Sequence, residues 1–140
     1  MAERIENILG ATKRYCGIVE SYDAFDSEIL EDINAAFAVL HQLGVGPIEG
    51  FTVEGDQETW DEFIEPGPIQ NMVRQYVEHS VKHEFDPPTN SATMQSLENR
   101  IQQLESRLSY YVDPRGDRSF FEIELESSDK EAAYQDPYWD

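Results

Sequence analysis

Hydrophobic positions recur along most of this chain at intervals of three and four residues, the spacing that places them on one face of an α-helix. Ile5, Ile8, Leu9, Thr12, Tyr15 and Cys16 predict a first helix over residues 3–16, with Gly17 as its stop. A longer stripe follows: Ile29, Leu30, Ile33, Ala36, Phe37, Leu40 and Leu43. Asp26 is placed to cap this second helix, and Glu28, Glu31 and Asp32 sit near the positive end of its dipole. Gly44 ends it, and Gly46-Pro47 prevents it from resuming.

Residues 44–56 read as a Gly-punctuated loop in which Phe51-Thr52-Val53 alternates like a brief strand. A short helix is predicted over 57–64, with Trp60 and Phe63 inward, before Glu65-Pro66-Gly67-Pro68 breaks the chain. The next helix runs over 68–84 with Pro68 in its first turn and Ile69, Met72, Val73, Tyr76, Val77, Ser80 and Val81 as its stripe. Phe85-Asp86-Pro87-Pro88 stops it, because prolines exclude continued helix. Asn90 or Ser91 caps a last helix over 91–111, whose Met94, Leu97, Ile101, Leu104, Leu108 and Tyr111 form a heptad-like seam. Antiparallel packing of that helix on the 68–84 helix is the expected arrangement.

Beyond Val112 the period changes. Asp113-Pro114-Arg115-Gly116-Asp117 is turn-like, and Phe121, Ile123 and Leu125 then alternate with glutamates as a strand would. The chain closes on acidic and aromatic residues that include Trp139. The expected fold is mainly α, a small bundle of four to five helices with a Gly/Pro-rich loop or short strand and an extended acidic C-terminal arm. Two units follow, a helical domain over 1–111 and the arm over 112–140. A purely solvating tail would not need the apolar residues of the arm: either it folds back on its own domain or it adds to a neighbouring subunit's surface, and because the helical body offers no sheet to complete, Phe121, Ile123, Leu125 and Trp139 are its candidate inter-subunit contacts.

Charge changes the picture more than hydropathy does. Twenty-nine acids against ten bases give a net charge of −19, which argues against binding nucleic acid through its phosphates. The excess lies in two blocks. Residues 15–73 hold thirteen acids and no Lys or Arg, and residues 112–140 hold nine acids against three bases. The remainder, 1–14 and 74–111, carries seven of each.

Candidate chemistry is sparse. Cys16 is a single cysteine, so no intramolecular disulfide forms, and no basic neighbour in sequence activates it; it reads as a small hydrophobe. His79 and His83 lie one helical turn apart, yet the residues between them lack the Glu of a zinc-protease helix and no third ligand follows. Arg115-Gly116-Asp117 is explained by a Pro-led turn. There is no phosphate loop, nucleophile elbow or cysteine pair. The expectation is a non-enzyme without cofactor or metal. No apolar stretch approaches a bilayer span, so a soluble protein made in a reducing cytoplasm is expected.

Four segments in order carry a family resemblance. They are Phe25-Asp26-Ser27-Glu28-Ile29 leading into Asp32-Ile33-Asn34-Ala35-Ala36-Phe37; Gln42-Leu43-Gly44-Val45-Gly46-Pro47; Trp60-Asp61-Glu62-Phe63; and Tyr76-Val77 running to Phe85-Asp86-Pro87-Pro88, with a following helix containing Glu98, Ile101, Leu104 and Arg107. Over residues 5–111 the chain resembles the head–tail connector proteins, also called head-completion or adaptor proteins, of long-tailed double-stranded DNA phages. The resemblance implies a helical structural protein without catalytic residues. It also implies a homo-oligomeric ring, expected to be twelvefold, beneath the portal protein. Such a ring extends the DNA channel toward a further neck or tail-completion protein, in the neck of the virion, after assembly in the host cytoplasm.

With that implication, the balanced segment 74–111 becomes the candidate for subunit and portal contacts, through Phe85, Asp86, Pro87, Pro88, Arg100 and Arg107. The acidic stretch supplies Glu28, Glu31, Asp32 and Glu49 as a candidate DNA-channel face, along which DNA passes without sequence-specific binding. Two other classes fit parts of the sequence. One is an acidic DNA-mimic inhibitor of a DNA-binding host enzyme, which would stay a small oligomer and ignore a portal. The other is a generic helical adaptor, for which an isolated 90–112 peptide would form stable coiled coils rather than unfold.

Overall fold

The computed structural model describes residues 6–113, and within them five helices follow the hydrophobic periodicity. The first, α1 (Ile8–Tyr15), begins later than the predicted residue 3. Asn7 decides this. Its backbone is extended, its side chain accepts a hydrogen bond from the Gly10 N–H at 2.6 Å, and it forms an isolated antiparallel bridge with Thr59. An N-cap residue cannot also be helical. Ile8, Leu9 and Thr12 are buried as the stripe predicts, whereas Tyr15 is exposed and stacks on His79.

Helix α2 (Asp26–Leu43) buries Ile29, Ile33, Ala36, Phe37 and Leu40. The predicted Asp26 cap is not made. Phe25 precedes the helix without any side-chain cap bond, and the Asp26 carboxylate instead meets the Lys13 ammonium at 2.7 Å. A full positive charge withdrawn from water attracts a carboxylate more strongly than a backbone N–H does. At the other end Gly44 takes the left-handed conformation (φ 89°) that stops the helix. Gly46 (φ 92°) has a second reason to be glycine, since a Cβ there would collide with the Phe63 ring.

No strand forms at 51–53. The Val53 N–H donates to Asn34 Oδ1 at 2.8 Å and the Asn34 amide donates to the Val53 carbonyl at 2.9 Å. One side-chain amide thereby supplies both bonds that a partner strand would have supplied. Helix α3 (Trp60–Phe63) is a single turn closed by a capping box between Thr59 and Glu62, and it buries Trp60 and Phe63. Helix α4 (Pro68–Phe85) starts on its proline, and α5 (Ser91–Val112) is capped by Asn90, which accepts from the Thr93 N–H at 3.0 Å.

The core is the line along which α4 packs on both α2 and α5, with α1 crossing α2 and α4. α4 and α5 form the expected antiparallel hairpin. Leu97, Leu104 and Leu108 of its seam are buried, and the Tyr76 hydroxyl donates to Glu105 at 2.8 Å across it. At the far end of α2, Phe37 contacts the rings of Phe51 and Phe63, pinning the loop and α3 to the bundle. Ile5, the alternating strand and the arm residues Phe121, Ile123, Leu125 and Trp139 lie outside the described residues.

Candidate docking surfaces

Lys13 ties α1 to the start of α2. It is 2% exposed, pairs with Asp26, and also donates to the Glu20 carbonyl at 2.8 Å. The turn between α1 and α2 is thereby closed around one buried ammonium. Beside it Glu6 holds both Arg14 and Arg74, and the Arg74 guanidinium lies 5.5 Å from the centre of the Trp60 ring. Lys13, Arg14 and Arg74 are therefore paired within the subunit.

The turn between α4 and α5 stands at one end of the bundle. Phe85 is half-buried and meets Phe25 edge-on at 5.4 Å, and Phe25 in turn meets Tyr22 at 5.8 Å. Asp86 is exposed and accepts from Lys82 at 2.9 Å; Pro87 is exposed and Pro88 half-buried. Val19, Tyr22 and Phe25 leave apolar surface next to this turn. The sequence pointed to Phe85-Asp86-Pro87-Pro88, and the structure adds these three residues from the connection between α1 and α2.

Two grooves flank α5. One is bounded by α2, α4 and α5, with Ala35, Ala36, Val39 and Ile101 on its floor and Asp32, Glu84, Glu98 and Glu105 around it. Within it His83 bridges Glu98 at 3.0 Å and Glu84 at 3.1 Å, and these bonds hold the imidazole above its usual pKa of 6.5. Partial burial, then the nearby Glu84, Glu31 and Glu28, push the Asp32 carboxyl up from its ordinary value. The other groove is almost wholly apolar, formed by Ile69, Met72, Tyr110 and Tyr111 beside Arg107. Arg107 has no hydrogen-bond or ion-pair partner among the described residues, whereas Arg100, one heptad earlier, donates to Gln75 at 2.6 Å.

The four predicted channel acids do not gather at one place. Glu28 and Glu31 are exposed on the first turns of α2, Asp32 turns into the acidic groove, and Glu49 sits on the loop beyond the opposite end of that helix. Ile48 next to Glu49 is 92% exposed. Cys16 is half-buried, and burial pushes its thiol up to about 11, so it stays protonated at neutral pH. His79 and His83 point to different partners, Tyr15 and Glu98. No group of three metal-ligating side chains occurs among the described residues, and no helix there is long and apolar enough to cross a membrane.

Apolar surface at the ends and flanks of a small helical body is what an assembly subunit presents. A family model described as phage connector protein matches residues 8–115, which spans α1 to the end of α5. The chain belongs to this family. No curated protein and no solved structure matches significantly. This connector is accordingly a structural head–tail component of a tailed phage, and its helical body is the part that carries the family pattern.

Proposed function

We propose that this connector assembles as a closed ring, twelvefold as the family resemblance implies, on the underside of the portal, and carries the DNA channel onward to the next neck or tail protein. The observation that carries this reading is the match of the phage connector model across the whole helical body. In this reading the subunits assemble in the host cytoplasm and remain in the virion neck, without enzymatic activity or cofactor.

The surfaces fit such a role. The Phe85–Pro88 turn, with Val19, Tyr22 and Phe25 beside it, is the candidate portal contact because exposed apolar surface there adjoins the rigid end of the α4–α5 hairpin. Glu28, Glu31 and Glu49 are the candidate channel acids, while Asp32, expected with them from the sequence, turns into the groove of α2, α4 and α5. Carboxylates along a channel repel phosphate and keep the duplex from adhering. The arm residues Phe121, Ile123, Leu125 and Trp139 are the candidate contacts to a neighbouring subunit, since apolar residues in so acidic a segment gain by leaving water on another surface.

Electron microscopy of the purified chain mixed with its portal tests the reading. Ring-shaped density coaxial with the portal is the expected result. A chain that leaves the portal bare and sediments as a small species would overturn the ring beneath the portal.

A further inference from the structure

Helix α5 has two faces of opposite charge. Successive helical residues are about 100° apart, so residues seven apart fall nearly in line. Leu97, Leu104 and Leu108 form the buried line of α5. On one side of it run Glu98 and Glu105, and on the other Arg100 and Arg107. Each charged line borders its own groove. The acidic line joins Asp32 and Glu84 around the floor of Val39 and Ile101, and the basic line borders the apolar groove of Ile69, Met72, Tyr110 and Tyr111.

The geometry points to a head-to-tail contact between copies of this chain, in which the Arg107 flank of one subunit seats in the acidic α2–α4–α5 groove of the next. This rests on the connector reading and deepens it by naming the two surfaces. Three features select a second copy as the occupant. A ring larger than a dimer requires two different, mutually complementary surfaces on each subunit, and these two lie on opposite sides of one helix. Their charges are opposite, although the chain as a whole is strongly acidic. Arg107 is exposed without a partner among the described residues, while Asp32 and Glu84 repel each other. An incoming guanidinium relieves that repulsion, and apolar residues on both sides lose water at the same time.

Tyr110 and Tyr111 provide the contact area. They are 58% and 46% exposed on the last turn of α5, and tyrosine buries a large surface at small entropic cost. The net charge of −19 does not forbid the contact. At about 0.15 M salt the screening length is about 8 Å, so remote acids are muted while the facing charges still attract.

Charge exchange on the full chain tests the contact. Arg107→Glu puts a carboxylate on the flank that should enter the acidic groove, and Asp32→Lys with Glu84→Lys reverses two of the four acids around that groove, leaving two ammoniums against Glu98 and Glu105; none of these side chains holds the core. Sedimentation velocity at fixed ionic strength should show each variant alone associating with a dissociation constant raised roughly tenfold or more. Mixed in equal amounts, the two variants should recover wild-type association, because each then presents the flank that the other needs. Circular dichroism melts identify any variant that fails to fold, and Arg107→Gln with Glu84→Gln provides a milder pair in that case.

Undiminished association of the Arg107→Glu chain would overturn the contact and leave that flank to another occupant, such as the chain's own residues 114–140. Failure of the mixture to recover would overturn it equally. A wild-type chain that forms no multimer at any concentration, with or without portal, would also overturn it. Portal binding scored separately in the same samples tests the connector reading, so loss of one is distinguishable from loss of the other.

Discussion

Lys13 shows how much one side chain decides. A lysine on an exposed helix is worth little, but here burial removes its water and leaves Asp26 and the Glu20 carbonyl as its replacement. Removing one member of such a pair strands the other and opens the packing around it. Asp26 retains some solvent contact, which reduces the penalty below that of a fully buried pair. Lys13→Ala should therefore lower stability by about 2 kcal/mol, and the melting temperature should fall by roughly 10 °C. Thermal and urea denaturation measure both. Periodicity in the sequence places Lys13 on α1 but does not reveal its burial, because its partners come from the following turn and the start of the next helix. The Asn34 clamp on Val53 is hidden for the same reason: a polar residue nineteen positions away replaces the strand that the Phe51-Thr52-Val53 alternation suggested.

At the scale of elements, α4 and α5 are joined by apolar contacts and by the ion pair of His83 with Glu98. Those bonds raise the imidazole pKa in the folded protein above its ordinary value of 6.5. A group whose pKa rises on folding contributes stability that is complete below the unfolded value and is lost as pH rises through the folded value. The contribution of His83 should be full below about pH 6.5 and vanish on the alkaline side of its folded pKa. His83→Gln should accordingly destabilise the hairpin at about pH 5.5 to 6 and approach the wild type as pH rises through the folded pKa, as denaturation at a series of pH values can establish. A difference that does not change with pH would place the role of His83 in packing rather than charge. The helices themselves are legible from the sequence, since glycines, prolines and Asn90 mark their ends by local backbone chemistry. The starting point of α1 and the missing cap at Asp26 are less so, because each depends on a partner distant in the chain.

Across the whole molecule, charge opposes assembly while surface chemistry promotes it. Subunits of −19 repel at long range, and that repulsion weakens as ions screen it. Self-association should strengthen as NaCl rises from about 0.02 to about 0.15 M, where the Debye length falls below about 10 Å. Light scattering or sedimentation across that range measures it; monotonic weakening from the lowest salt would mean that local pairing outweighs net repulsion. The separation of the four channel acids also belongs to this scale. Glu28 lies on the first turn of α2 and Glu49 on the loop beyond its last turn, so a channel face that includes both must run along the length of that helix.

The sequence by itself determined the helices, their order, the α4–α5 hairpin and the membership of the connector family, because apolar period and turn residues act over a few positions and persist in any environment. It also determined the two acidic blocks. Tertiary structure alone decided which charges are consumed within the subunit and which face outward. Lys13, Arg14 and Arg74 are spent on internal pairs, while Arg107 remains beside an apolar groove and Asp32 and Glu84 beside another. Electrostatic interactions depend on distance through space and on exclusion of water, and neither is fixed until the helices have packed.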